Sequence, residues 1–402
     1  MKQVGKKIIL MCLVMALALV GCVHAVAEEE RDKIYIALTV MLSGSGADSG
    51  RLAKEAAEFW VEQFNANGGF EGMNADLELV IYDVTSTADQ SKTVLERALT
   101  EHDFAAVAIS CVTGTTLTQL PVCERAGIPA VFTANGAELY SQGYTYTFGY
   151  APYASDSSAK LAEVVNWLNE NGYDYSKAAI LYEDTSVGSS YADGYREKAE
   201  QIGLEVVYDK SYQANLTDAS SIAQAIKATG AEVILGSMVG QDSKTISEAF
   251  AAIDYHPLWL GVSALLSYGE TMGEACNGQM ATTNWSADTY VMDNNPEYAQ
   301  LRSDFEELSG HFVAEKTGST WCILDIITQA IEIAGTTDPE AIQQVLATTT
   351  FDTMTSTGKV KFDETGYNTL SGAVVGQWQN GVCVGIYPQD LCTGTYIDPS
   401  DF

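Results

Sequence analysis

Positive charge is scarce in this chain. Lys and Arg number 21 against 53 Asp and Glu over 402 residues, a formal net charge of −32. The basic footprint that nucleic-acid binding needs is therefore missing, and the acidic balance speaks for solubility and repulsion from anionic surfaces rather than for a fold. Histidine is scarcer still, with four residues, and no Cys-x-x-Cys or Cys/His spacing is present to hold zinc. Neither Gly-x-Ser-x-Gly nor His-Glu-x-x-His occurs. These absences argue against an enzyme, a metal centre or a bound cofactor. Beyond the amino-terminal end, no stretch approaches the ~20 uninterrupted apolar residues of a membrane-spanning helix.

What the first residues do have is a basic start, "MKQVGKK", and then the apolar run from Ile8 to Val20. A run of that length behind a short basic segment predicts a secretory signal peptide. Its end, Leu19-Val20-Gly21-Cys22, resembles the lipobox of bacterial lipoproteins, where the chain is cut before the cysteine and the cysteine takes the lipid. Residues 1–21 are thus read as signal, Cys22 as the acylated residue and 22–32 as a polar tether. The expected location is extracytoplasmic, lipid-anchored at the outer face of the cytoplasmic membrane or in the periplasm. Cys12 leaves with the signal, and six cysteines remain, an even number in an exported chain. Closeness in sequence makes Cys111 with Cys123, and Cys383 with Cys392, the candidate disulfides; free buried thiols are the alternative.

From Ile34 to Phe148 the apolar stretches "IYIAL", "LELVIYD", "AAVAIS" and "PAVFT" alternate with amphipathic helical ones. That alternation predicts βαβ units around a parallel sheet covered on both faces. "KAAILYED", "LEVVYDKSY", "AEVILG" and "PLWLG" repeat the pattern. The short joint "TFGYAPYAS", with Pro152, predicts a hinge rather than a long linker. After Trp285 come two helical stretches and then "GKVKFDETGYNTLSGAVVGQWQNGVCVGIYP", which alternates like antiparallel strands. The expected fold is α/β, two doubly wound parallel-sheet lobes joined by a three-segment hinge.

Open parallel sheets bind ligands beyond the carboxyl ends of their strands, so two facing lobes place the site in the cleft between them. The corresponding loops of lobe one are "SGSGADSG", "SCVTGTT" and "TANGAE". Their hydroxyls and free backbone N–H groups suit a carboxylate or another small anion. The first reads Gly-x-Gly-x-x-x-Gly, which is not the dinucleotide fingerprint, and it lacks the Gly-Lys-Ser/Thr of a phosphate loop.

In sum of its pieces, the chain resembles the type I periplasmic substrate-binding proteins of branched-chain amino acid (Leu/Ile/Val) ABC transporters, in lipoprotein form. The most specific piece is Asn65-Ala66-Asn67-Gly68-Gly69-Phe70-Glu71-Gly72, similar to the family's N-x-x-G-G-I-x-G; "SCVTGTTLTQLPVCERAGIPAV", "FTANGAEL", "GKVKFDETGYN" and "VVGQWQNG" follow in family order. The resemblance implies capture of a small amino acid-like ligand by hinge closure, an ABC permease as partner, a monomer, and neither nucleic acid nor cofactor. It implies lobe one at 33–149 plus 285–356, lobe two at 150–284 plus 357–392, and a tail at 393–402. Hinge segments fall near Tyr150–Pro152, Trp285 and Thr357–Gly358.

Residue by residue, the resemblance places Cys111, Val112 and Thr113 on a ligand carboxylate, with a plain helix N-cap as the alternative for Thr113. It places Thr133, Ala134 and Asn135 on carboxylate and ammonium, and Ser49 beside the first glycine loop. In lobe two the family's aromatic lid is Val187, with Tyr191 as a substitute, and a second aromatic position is Met238. Trp285 is a candidate cleft wall, or else core. Where the family often holds the ligand ammonium with an acid, this chain has Ser263. Either Asp242, Glu183 or Asp184 takes that role, or the ligand is not an ordinary α-amino acid. Other small carboxylates or amides remain open, as does a ligand-sensing lipoprotein of the same fold with no transporter.

Overall fold

The computed structural model describes residues 31–237 and 240–402. Five strands, β1 (Asp32–Val40), β2 (Ala75–Asp83), β3 (Phe104–Ile109), β4 (Ala130–Phe132) and β5 (Thr147–Gly149), form a sheet in the order β2-β1-β3-β4-β5. Every neighbouring pair is parallel. Helices α1 (Ala47–Ala66), α2 (Ala88–Ala98) and α3 (Thr113–Ala126) make the crossovers. The central strand β3 reads FAAVAI and is buried at every residue, as a strand covered on both faces must be.

The chain then enters a second lobe through α4 (Ala154–Glu170), β6 (Lys177–Glu183), α5 (Ser186–Ile202), β7 (Glu205–Tyr212), α6 (Ser220–Thr229), β8 (Val233–Ser237), α7 (Gly240–Ala252), β9 (Leu258–Leu260), α8 (Leu266–Met272) and β10 (Met280–Thr283). It returns to lobe one for α9 (Tyr290–Asn294), α10 (Pro296–Ser309), α11 (Glu315–Ala334), α12 (Pro339–Thr348) and the short hairpin β11 (Thr350–Asp352) and β12 (Lys359–Lys361). It ends in lobe two with β13 (Val374–Gln379) and β14 (Val382–Tyr387). The second sheet runs β14-β13-β10-β9-β8-β6-β7, with β13 and β14 antiparallel to their neighbours.

Helix α11 is the hub of lobe one. Its Trp321, Cys322, Ile323, Ile326, Ile327 and Ile331 are fully covered between α1 and the sheet, and Trp321 Nε1 donates to the Ala56 carbonyl at 2.9 Å. An aromatic of this size contributes most when its N–H is satisfied, as here. Gly335 at φ 62 ends the helix, and Asp338 and Pro339 start the next, with the Asp338 carboxylate accepting from the Glu340 and Ala341 amides.

Three expectations are corrected. The third crossing does not lie at Thr357–Gly358. Phe351, Val360 and Phe362 enter the core of lobe one, and Asn368 Nδ2 donates to the Tyr150 carbonyl at 2.9 Å, so the chain crosses between Asn368 and β13. Residues 393–402 are no loose tail either: Gln377 Nε2 donates to the Ile397 carbonyl at 2.7 Å, and Tyr396 packs edge-on against Trp167 of lobe two.

The expected disulfides are also absent, since all six described cysteines are free thiols. Cys111 precedes α3 and Cys123 lies in its last turns. A helical rise of about 1.5 Å per residue separates them by roughly 15 Å, against a Cα limit of about 7 Å. Cys383 opens β14, whereas the Cys392 amide bonds to the Pro388 carbonyl past that strand's far end. Burial pushes the Cys123 and Cys392 thiols up to about 12 and Cys276 to about 11. They behave as small apolar side chains rather than nucleophiles.

Candidate functional site

The carboxyl ends of β1, β3 and β4 face lobe two across the hinge. The glycine loop after β1 is closed on itself and on its neighbour. Gly46 N donates to Ser86 Oγ at 3.0 Å, the Ser86 hydroxyl donates to the Ser43 carbonyl at 2.7 Å, and Gly50 packs so tightly that a Cβ there would run into the Met41 carbonyl. Its amides hold the loop rather than a nucleotide. Ser49 sits half-buried in the first turn of α1 behind it.

After β3, Ser110 Oγ lies 2.9 Å from Thr320 Oγ1 of α11, and the buried Cys111 thiol points back to the Thr39 carbonyl at 3.5 Å. Val112 is the N-cap residue of α3, with extended backbone and no side-chain cap, and it is 53% exposed. Thr113 is the first helical residue, not the cap, and is 4% exposed. The opening turn of α3 therefore keeps backbone donors that no capping side chain takes.

The loop after β4 lies alongside. Gly136 is needed there, because a Cβ would strike the Thr113 methyl group. Thr133 and Ala134 are buried, and the Asn135 carbonyl accepts from Ala154 N of α4 at 3.0 Å.

Two residues that the sequence reading missed complete the floor. Lys316, in the first turn of α11, is 8% exposed, and its Nζ donates to Thr133 Oγ1 at 3.0 Å. Burial pulls its ammonium below the usual lysine range, opposed by nearby Glu315. Glu315 accepts from Ser319 Oγ at 3.3 Å, and Ser319 is also bound by the Tyr150 hydroxyl. Burial raises the Glu315 carboxyl, while Lys316, Ser319 and Asn284 hold it down. Glu315 lines a cavity of about 10 Å³ with Ala264, Thr283 and Trp285. The only sequence hint was "AEK" ahead of a strongly apolar helix, since charges that begin a helix are usually solvated.

Lobe two meets this floor through α5. Thr185 caps it by accepting from Gly188 N at 3.0 Å, which sets Val187, half-buried, in the first turn. One turn on, Tyr191 approaches Asn135 of lobe one, and its hydroxyl lies 3.3 Å from Thr282 Oγ1. Ser186 Oγ also reaches Glu138 Oε1 of lobe one at 3.5 Å. Tyr191 lies one turn beyond Val187 on the same helix.

Other expected residues lie elsewhere. Ser263 is 4% exposed and turns its hydroxyl to Leu265 N. Trp285 is 1% exposed, donates to the Met354 carbonyl at 2.7 Å and packs on Trp321 and Gly318, so it is hinge core rather than an open wall. The Asp242 carboxylate is taken by the amides of Asn215 and Leu216, and Asp184 by Gln213. Met238 and Cys22 lie outside the described residues. Among the described residues no cluster of His, Cys, Asp or Glu is arranged to hold a metal ion, and no helix is long and apolar enough to cross a membrane.

The comparisons with known proteins agree with the fold. A family model described as periplasmic binding protein matches residues 33–382. The Leu/Ile/Val-binding protein homolog 7 of Brucella suis is 24% identical over 94% of this chain and 96% of its own length. Among solved structures, the branched-chain amino acid transporter substrate-binding protein LivJ of Streptococcus pneumoniae, in complex with isoleucine, superposes with a TM-score of 0.76 at 18% identity, covering 88% of this chain and all of its own. A solute-binding protein of an ABC transporter from Rhodopseudomonas palustris, in complex with 3,4-dihydroxybenzoic acid, superposes at 0.73 and 15% identity, over 92% of this chain and 100% of that one.

Proposed function

The chain belongs to the periplasmic binding protein family, and from that premise we propose that it captures a small amino acid-like ligand between its lobes and delivers it to an ABC importer. It is a substrate-binding protein of the extracytoplasmic space, not an enzyme. Hydrophobic, branched-chain amino acids are the leading ligands. The observation that carries this reading is the convergence of Thr113, Thr133 and Lys316 at the strand ends of lobe one, opposite Tyr191 of lobe two. The names of the Brucella relative and of the isoleucine complex support it.

Capture works by population shift. The lobes exchange between open and closed forms, and a ligand that touches both favours the closed one by its extra contacts there. Ser186 of lobe two reaches Glu138 of lobe one, a contact that opening of the lobes would break. Acylation at Cys22 would hold the molecule at the membrane beside its permease; one CH₂ buried in lipid contributes about 0.8 kcal/mol.

A second reading, a plain carboxylate as ligand, is favoured by the absence of an acid at Ser263 and by the aromatic-acid complex of the Rhodopseudomonas protein. A thermal-shift panel of the twenty amino acids, small amides and aromatic acids decides between them. Ligand at 100 times Kd stabilises by roughly 2.7 kcal/mol. A shift with Leu, Ile or Val supports the first reading; a shift only with ammonium-free acids supports the second; no shift at all would favour a sensor of the same fold.

A further inference from the structure

Lys316 and Glu315 adjoin in sequence and attract each other through their opposite charges, yet they form no hydrogen bond or contact ion pair with each other. Among the described residues, the one hydrogen bond of the Lys316 ammonium is to Thr133, and that of the Glu315 carboxylate on its own helix is from Ser319. Consecutive helical residues fan apart by about 100°, so the two heads diverge. Lys316 turns to the ends of β3 and β4 in lobe one, where it also feels the Cys111 sulfur. Glu315 turns to lobe two, where it lines the same cavity as Ala264, next in sequence to Ser263.

An ammonium has three donors, and this buried one hydrogen-bonds to a single neutral acceptor while Glu315 attracts it without contact, so it can still receive an anion directly. The uncapped start of α3 beside it adds backbone donors for the same anion. On the other side, Glu315 places a carboxylate next to the segment that lacks one of its own. Asp242 and Asp184 are engaged elsewhere in lobe two.

We propose that Lys316 and Glu315 form a two-point clamp for a zwitterion: Lys316, with Thr133, receives the ligand carboxylate, and Glu315 receives its ammonium in place of the acid missing at Ser263. The clamp rests on the amino acid reading above and narrows it, because it admits α-amino acids and penalises acids or amines that carry only one of the two charges. Its position on α11 also ties ligand charge to the hinge, since Ser319 of the same turn binds Tyr150 at the first crossing.

The test is calorimetry on the full chain in detergent, as wild type, Lys316→Met, Glu315→Gln and Thr133→Val. The probes are the amino acid that gives the largest thermal shift, its deaminated acid and its decarboxylated amine; for leucine these are 4-methylpentanoate and 3-methylbutylamine. Wild type should bind the amino acid at least about 30-fold more tightly than either single-charge analogue. Lys316→Met should lose about 30-fold or more for the amino acid while its unfolding temperature rises, because a desolvated buried ammonium is gone. Glu315→Gln should lose as much for the amino acid yet bind the deaminated acid as wild type does. Thr133→Val keeps the volume and should weaken every carboxylate probe. If wild type binds an amino acid and Lys316→Met or Glu315→Gln binds it equally well, the clamp is wrong and the amino acid reading stands. If wild type binds no amino acid but binds a plain carboxylate, both fall.

Discussion

Asp325 shows what a single half-buried charge does to this molecule. It lies in the covered part of α11, where Thr353 donates to it at 2.6 Å and burial pushes its carboxyl up to about 6. A carboxyl held above its unfolded value stabilises the fold fully only below about pH 4, and that contribution is lost as pH rises toward 6. At pH 7 the half-buried charge costs at most about 3 kcal/mol, the difference between about 6 and the ordinary 3.8. Asp325→Asn keeps an acceptor for Thr353, so it should raise the unfolding temperature at pH 7 and flatten the stability curve between pH 4 and 6, as followed by circular dichroism. In the cleft, Thr113→Ala and Asn135→Ala should each weaken ligand binding about fivefold, near 1 kcal/mol for one hydrogen bond. Unchanged affinity in both would move the ligand off lobe one. That Thr113, Thr133 and Asn135 lie in the loops at the strand ends was legible in the sequence, because hydroxyl-rich loops after apolar strands are a local pattern. Lys316 was not, because its burial is decided by residues nearly two hundred positions away.

At the scale of elements, the parallel strands and crossover helices followed from the alternation of apolar runs, and the closing hairpin from its alternation around Gln379-Asn380-Gly381. The third crossing was misplaced for an equally physical reason. Gly358 looked like a break between lobes, but its positive φ of 76 only turns the chain from β11 into β12, and the hairpin then spends Phe351 and Val360 on the core of lobe one. Where an apolar strand docks is not written in its own residues. Helix α11 depends on a close approach of the same non-local kind: the Trp285 ring lies flat on Gly318, where a Cβ would collide with it. Gly318→Ala should cost about 1–3 kcal/mol through overpacking and lower the unfolding temperature by several degrees in a thermal melt, despite the better helix propensity of alanine.

For the whole molecule, the expectation of covalent staples gives way to two ordinary cores. Each sheet is covered on both faces, and the six described cysteines serve as packing. Dithiothreitol should therefore leave the unfolding temperature unchanged, and a drop of several degrees would reveal a disulfide formed in the cell. The course of the chain has one more consequence. Arg31 is fastened to lobe one through Asp76 and the Ala75 carbonyl, while the last residues are fastened to lobe two through Gln377 and Tyr173. The two ends of the described chain thus ride on opposite jaws. A pair of dyes placed at residues 31 and 402 would report every opening and closing as a change in energy transfer, making the molecule its own optical gauge for whatever it captures.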